Sequence, residues 1–175
     1  EVARSLATAM ALSEDEILAG QGNHQAQTTV RSLIILSHVY EIALSHHVAY
    51  IEASLEDGGT ADDGIAISND LLGNLGLLPE SFPGAARAHV TAASTNTDLP
   101  AATRDDIVAL WSTYRELKDL VERPRGTAET YSAKFNELSE KHRKLVESLT
   151  IRLDIDYDMA AFESAMNDIL YQSDE

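Results

Sequence analysis

No cysteine occurs anywhere in the chain, which excludes disulfides, thiolate zinc sites, iron–sulfur clusters and cysteine nucleophiles. The same absence leaves the compartment open, because oxidising and reducing surroundings suit a thiol-free protein equally well. Long apolar runs are missing too: none in the sequence approaches the ~18 residues of a membrane span. Basic residues are scarce, 13 against 29 acidic ones, and the formal net charge is -16. A field of that sign repels phosphate backbones and anionic lipid surfaces, so neither nucleic-acid binding nor direct binding to anionic membranes is expected. It keeps the protein soluble, suits a salty medium, and attracts cationic peptides or metal ions. Proline and glycine are few, four and nine. They cluster between long stretches free of both, which is the punctuation of helices.

What remains is an ordinary globular composition, with 44% hydrophobic and 24% charged residues in a chain of 175. Such a length can bury roughly 70% of its unfolded surface in one core, so residues 1–175 are expected to form a single helical-bundle domain. "SEDE" at 13–16 reads as a capping box in which Ser13 and Glu16 cap each other's backbone, and the alanine-rich "VARSLATAM" before it suits a leading helix. From Gln25 to Leu55 there is neither proline nor glycine, and the stretch reads as one long, strongly amphipathic helix ending at "EDGG". Two short helices fit near 62–75 and 84–94, the second opening at Pro83.

Two long helices follow. Over 101–122, Ile107, Leu110, Tyr114, Leu117 and Val121 recur at alternating three and four spacing, with Trp111 beside them. Over 128–150, Tyr131, Phe135, Leu138, His142, Leu145 and Leu149 do the same. The short "RPRG" connection folds the two into an antiparallel hairpin. A last helix carries Met159, Phe162, Met166 and Ile169 on one face. No internal repeat is present. The expected fold is all-α, an antiparallel helical bundle of about four principal helices with one or two short extra ones.

"IRLDIDYDMAAFE" at 151–163 superficially resembles a calcium loop, with Asp154, Asp156 and Asp158 at alternate positions. A calcium-binding EF-hand needs glycine at position six and glutamate at twelve, where this chain has Met159 at six and Glu163 at ten. The alternation of Ile151, Leu153, Ile155 and Tyr157 also suits a strand, but a lone strand would need another chain to pair with. The preferred reading is a boundary: a helix ends near Thr150, an extended connector follows, and Asp156 or Asp158 caps the final helix.

The richest stretch is "SHVYEIALSHHVAYIE" at 37–52. At about 100° per residue, Ile35, Val39, Ile42, His46 and Ala49 form one row and Leu36, Tyr40, Ala43, His47 and Tyr50 the next. This turns His46 and His47 toward the core, as His142 is turned on its own helix. Glu41, Ser45 and Glu52 fall on the polar face, with His38 at its edge. Buried imidazoles are most simply satisfied by Tyr or Ser hydroxyls. They also line metal, haem or small-ligand sites between bundle helices. Di-iron bundles use Glu-x-x-His pairs, and the chain contains none; nucleophile elbows, phosphate loops and His-Glu-x-x-His are equally missing.

The expected function is therefore non-enzymatic, with no catalytic residues, no metal ligands and no cofactor assigned. It is a helical sensing or protein-interaction domain, the ligand-binding region of a bacterial signalling or membrane-associated protein. A small molecule would enter near His46, His47, Tyr114 and His142, or a protein partner or second copy would dock. The start at Glu1 rather than Met suggests a processed or excised piece and favours an extracytoplasmic setting. The alternatives are a metal- or haem-binding bundle, resting on the same histidines, and an assembly subunit paired through "IRLDIDYD".

Overall fold

The computed structural model describes residues 23–74, 85–162 and 164–165. They form α1 (Asn23–Glu56), α2 (Ala61–Asn74), α3 (Ala85–Thr95), α4 (Ala101–Glu122) and α5 (Ala128–Leu153), followed by a helical turn from Met159. Among the described residues there is no strand. The all-α expectation holds, and the two long helices of the hairpin start where the periodicity places them. The capping box at 13–16, the alanine-rich segment before it, Pro83, Met166 and Ile169 lie outside the described residues.

α1 is the organising element. Its 34 residues span roughly 50 Å at ~1.5 Å per residue, and α2, α3, α4 and α5 all pack on it. The expectation of strong amphipathicity needs correcting. Leu36, Ser37, His38, Val39 and Tyr40 are all buried, and five successive positions at about 100° each go right round the helix. α1 is a central helix with neighbours on most sides, so polar residues that a one-sided pattern assigns to water are enclosed as well.

Pairings along the helices fix their directions. Gln27 meets Leu153, Ser37 meets His142 and His47 meets Tyr131, so α5 runs antiparallel to α1. Asp106 bonds Ser148 and Arg152 while Glu116 pairs with Lys134 and Lys141, which makes α4 and α5 the predicted antiparallel hairpin. α2 folds back along α1, bringing Asn69 to His47 and Gly64 against the backbone of Tyr50 and Ile51. A Cβ at Gly64 would lie 2.7 Å from Ile51 Cα. Only glycine permits so close a crossing.

Local signals set the ends. α1 stops at Gly58 in the left-handed region, φ 82°. There Gly59 N–H reaches back to Ser54 O and Gly58 N–H to Leu55 O, the paired bonds of a glycine-terminated helix. α2 opens with a capping box, Thr60 N–H donating to Asp63 Oδ2 and Asp63 N–H to Thr60 Oγ1. α5 opens with the reciprocal Thr127–Thr130 pair and closes at Asp154, φ 51°. Gln27 Nε2 donates to Leu153 O at 2.6 Å, so α1 helps to cap the carbonyl end of α5.

The 151–158 stretch is the boundary preferred from sequence, displaced by three residues because α5 continues through Leu153. Ala161 N–H donates to Asp158 Oδ1 at 3.0 Å, which makes Asp158 the cap of the last helical turn. The regular alternation does not produce a sheet edge: Ile151 is 75% exposed while Leu153 is buried, and Ile155, Tyr157, Met159 and Phe162 pack back on the core.

Candidate functional site

His46, His47, Tyr114 and His142 each sit among different partners. His46 is half-buried beside Tyr50, with ring centroids 6.1 Å apart. Its Nδ1 has no hydrogen-bond partner, and burial lowers its pKa. Tyr114 is core. It stacks on Trp111 at 5.2 Å and meets Tyr40 edge-on at 5.7 Å, while Lys118 lies over the Tyr40 ring at 5.6 Å. Burial pushes the Tyr40 hydroxyl up to about 12 and raises Tyr114 as well, so both phenols stay protonated.

His47 is fully buried between α2 and α5. Its Nε2 is 3.0 Å from Asn69 Oδ1, an acceptor, so that nitrogen carries the proton. Its Nδ1 then accepts from Tyr131 O–H at 2.6 Å. This arrangement requires a neutral ring, and burial, opposed by the Asn69 bond and reinforced by His46, lowers the His47 pKa. A neutral imidazole satisfied by a tyrosine hydroxyl is what the simplest sequence expectation describes.

His142 lies at the centre of a different constellation. Its ring is fully buried, with Nδ1 2.6 Å from Glu41 Oε2 and Nε2 2.7 Å from Ser37 Oγ. An ionised carboxylate can only accept, so Nδ1–H donates to Glu41. Burial alone would raise the Glu41 pKa; the His142 bond and charge, the Ser139 hydroxyl and His38 outweigh it and hold the group below its ordinary value. Ser139 Oγ influences Glu41 in this way without adopting hydrogen-bond geometry, and it remains a buried, unsatisfied hydroxyl.

Two residues expected on the solvent side of α1 are corrected here. His38 is 1% exposed, its Nδ1 2.6 Å from Tyr157 Oη and its ring stacked on Phe162 at 5.0 Å. The Glu41 side chain is only 18% exposed. The segment after α5 folds over this face of α1 and covers it, an event that the periodicity of α1 alone cannot foretell.

A cavity of about 410 Å³ opens beside Glu41, lined by Glu41, Asn136, Ser139, Glu140, Arg143, Met159 and Ala160. It lies between α1, α5 and the last helical turn. Arg143 is already engaged, reaching Glu140 at 3.1 Å and Glu147 at 3.8 Å. None of the four residues expected to bind ligand lines this cavity, although His142 stands one hydrogen bond behind its Glu41 wall. Sequence reasoning missed Ser37, Asn136, Ser139 and Arg143 altogether. The usable signal was Ser37 and Glu41 spaced i, i+4 on a helix too apolar to have a wide solvated face.

Ser37, His142 and Glu41 have the atom order and spacing of a hydrolytic triad, but not its surroundings. Ser37 is fully buried, and its hydroxyl also approaches Leu33 O at 2.8 Å and Ile34 O at 3.0 Å within its own helix. In mid-helix the neighbouring backbone N–H groups are committed to the helix ladder, so no oxyanion site faces the hydroxyl. What the arrangement can do is transmit: a charge or hydrogen bond altered at Glu41 changes what His142 and Ser37 must do inside the bundle. Among the described residues, no group of three His, Asp or Glu side chains is placed to hold a metal ion, and no helix is long and apolar enough to cross a membrane.

Comparison with protein-family models, with curated proteins and with solved structures finds no match. What the protein does is therefore inferred from the chemistry of its own residues.

Proposed function

We propose that the chain is a non-enzymatic sensing domain that takes a small polar ligand in the cavity between α1, α5 and the turn at Met159. The observation that carries this reading is the position of Glu41. It is at once a wall of a cavity of about 410 Å³ and the hydrogen-bond partner of an imidazole buried in the bundle. That volume is within the usual range of ligand sites, ~300–1,000 Å³. Occupancy would be felt in two places, along Glu41–His142–Ser37 into the core and at Met159–Ala160, which opens the last helix. Such coupling suits a sensor, whose task is to convert binding into a change of packing.

A thermal-shift screen of small metabolites, followed by amide chemical-shift mapping of the hits, tests the reading. A ligand at about a hundred times its Kd stabilises by ~2.7 kcal/mol, which raises Tm by roughly 5–10 °C for a chain of this size. The expected hits move the resonances of Glu41, Ser139 and Met159. Hits that map elsewhere, or a screen in which no compound touches these residues, contradict it.

A further inference from the structure

The lining of this cavity defines the chemistry of its occupant, granted that the cavity is a ligand site. We propose that it takes a small primary amine in its ammonium form, held by Glu41, Ser139 and Asn136, with Met159 and Ala160 against the carbon chain.

The acceptors come first. Glu41 spends Oε2 on His142, which leaves Oε1 to accept. Ser139 Oγ is buried with no partner of hydrogen-bond geometry; its effect on Glu41 is that of a donor, which leaves its lone pairs to accept. Asn136 adds a side-chain carbonyl in the same lining. An ammonium group has three N–H donors and no acceptor, which matches three such oxygens.

Charge points the same way. Two carboxylates, Glu41 and Glu140, and one guanidinium, Arg143, line the cavity. Arg143 is neutralised by Glu140 and Glu147, while Glu41 is kept ionised. A carboxylate or phosphate ligand would compete with Glu140 and Glu147 for Arg143 and approach Glu41 against repulsion. The net charge of -16 adds a long-range field that concentrates cations at the surface.

Three probes of one size separate the alternatives: n-butylammonium, 1-butanol and butyrate, titrated at pH 7 and constant ionic strength with chemical-shift mapping. Butylammonium is expected to bind best and to move Glu41, Asn136 and Ser139. Diffuse attraction to an acidic protein is distinguished by Ser139→Ala, which leaves the charge untouched. A seated ammonium loses roughly ten- to a hundredfold in affinity there, because a bond donated by an ionised group is charge-assisted, whereas diffuse binding is unaltered. Glu41→Gln, checked for native fold by its spectrum, is expected to lose roughly ten- to a hundredfold, as a charge-assisted bond implies. Butanol or butyrate binding as well as the amine, or shifts scattered over surface acids, or an unchanged affinity in Ser139→Ala, overturns the assignment. If none of the three probes moves these residues while compounds of other chemistry in the wider screen do, the amine is wrong and the ligand site stands. Silence from every compound removes both.

Discussion

Replacing His142 by alanine is the most informative perturbation of the bundle. The imidazole is fully buried, and both of its nitrogens are bonded, to Glu41 at 2.6 Å and Ser37 at 2.7 Å. Ser37 survives the loss well, since its hydroxyl has Leu33 O and Ile34 O within reach. Glu41 does not, because its carboxylate loses the donor that holds it ionised. Breaking a buried pair by removing one member costs ~3–5 kcal/mol, and the partial solvent access of Glu41, 18%, puts the expected value near the lower end. The void left by the ring adds to it at roughly 24 cal/mol per Å³. A loss of about 3–4 kcal/mol is a large share of the 5–15 kcal/mol typical of a whole domain. Urea unfolding should show a much lower midpoint with an unchanged slope. Replacing both members, Glu41→Leu with His142→Leu, should recover most of the loss, because an apolar pair leaves no stranded charge. The reasoning is refuted if His142→Ala costs under ~1 kcal/mol, or if the double replacement costs the sum of the two singles.

Other perturbations test other parts. Glu41 has a folded pKa below its ordinary 4.5, so between the two values the unfolded chain binds more protons. Its contribution is therefore full above about pH 4.5 and lost as the pH falls through the folded value; the acid-induced loss of stability should be shallower in Glu41→Gln than in the parent. His47 is depressed from 6.5 by burial. By the same sign its contribution is complete above that pH and declines below it, and a flatter stability profile below pH 6.5 is expected for His47→Gln. Tyr131→Phe removes the donor to His47 Nδ1 and should cost about 1–2 kcal/mol by urea titration. Gly64→Ala places a methyl against the backbone of α1 and should cost roughly 1–3 kcal/mol by forcing α2 away, visible as lost amide protection in α2. Phe162→Ala removes the ring stacked on His38, and hydrogen exchange should accelerate in residues 157–162 while α4 is unaffected.

The parts of the fold written in local code were readable from the sequence. α4 matches its expected bounds because Pro100 and "RPRG" bracket an uninterrupted heptad-like stripe, and its inward residues Ile107, Leu110, Tyr114, Leu117 and Val121 are all buried. The α5 stripe and the Asp158 cap were equally legible, since spacing and capping depend only on neighbours in the chain. The site was not. Hydrophobic periodicity marks which residues avoid water, but it is blind to a polar residue enclosed because a distant segment folds over it. Tyr157 and Phe162 reach His38 across more than a hundred positions of sequence, and only that closure turns Glu41 from a surface carboxylate into a cavity wall. The histidines drew notice for a sound reason, their place in apolar rows. Two of them, His47 and His142, hold hydroxyls as the simplest chemistry expects, and the cavity proposed as the ligand site is lined by Glu41, the residue that His142 bonds.

A long-range proton–nitrogen correlation spectrum of the imidazoles reports most directly on the buried His142 link behind the cavity. His142 is expected to show an Nδ1–H proton shifted far downfield by its carboxylate partner and slow to exchange with water. Its signals should move together with those of Ser139 when n-butylammonium is added. A rapidly exchanging His142 Nδ1–H that shows no carboxylate partner and ignores the amine would contradict both the Glu41–His142–Ser37 arrangement and the site built on it.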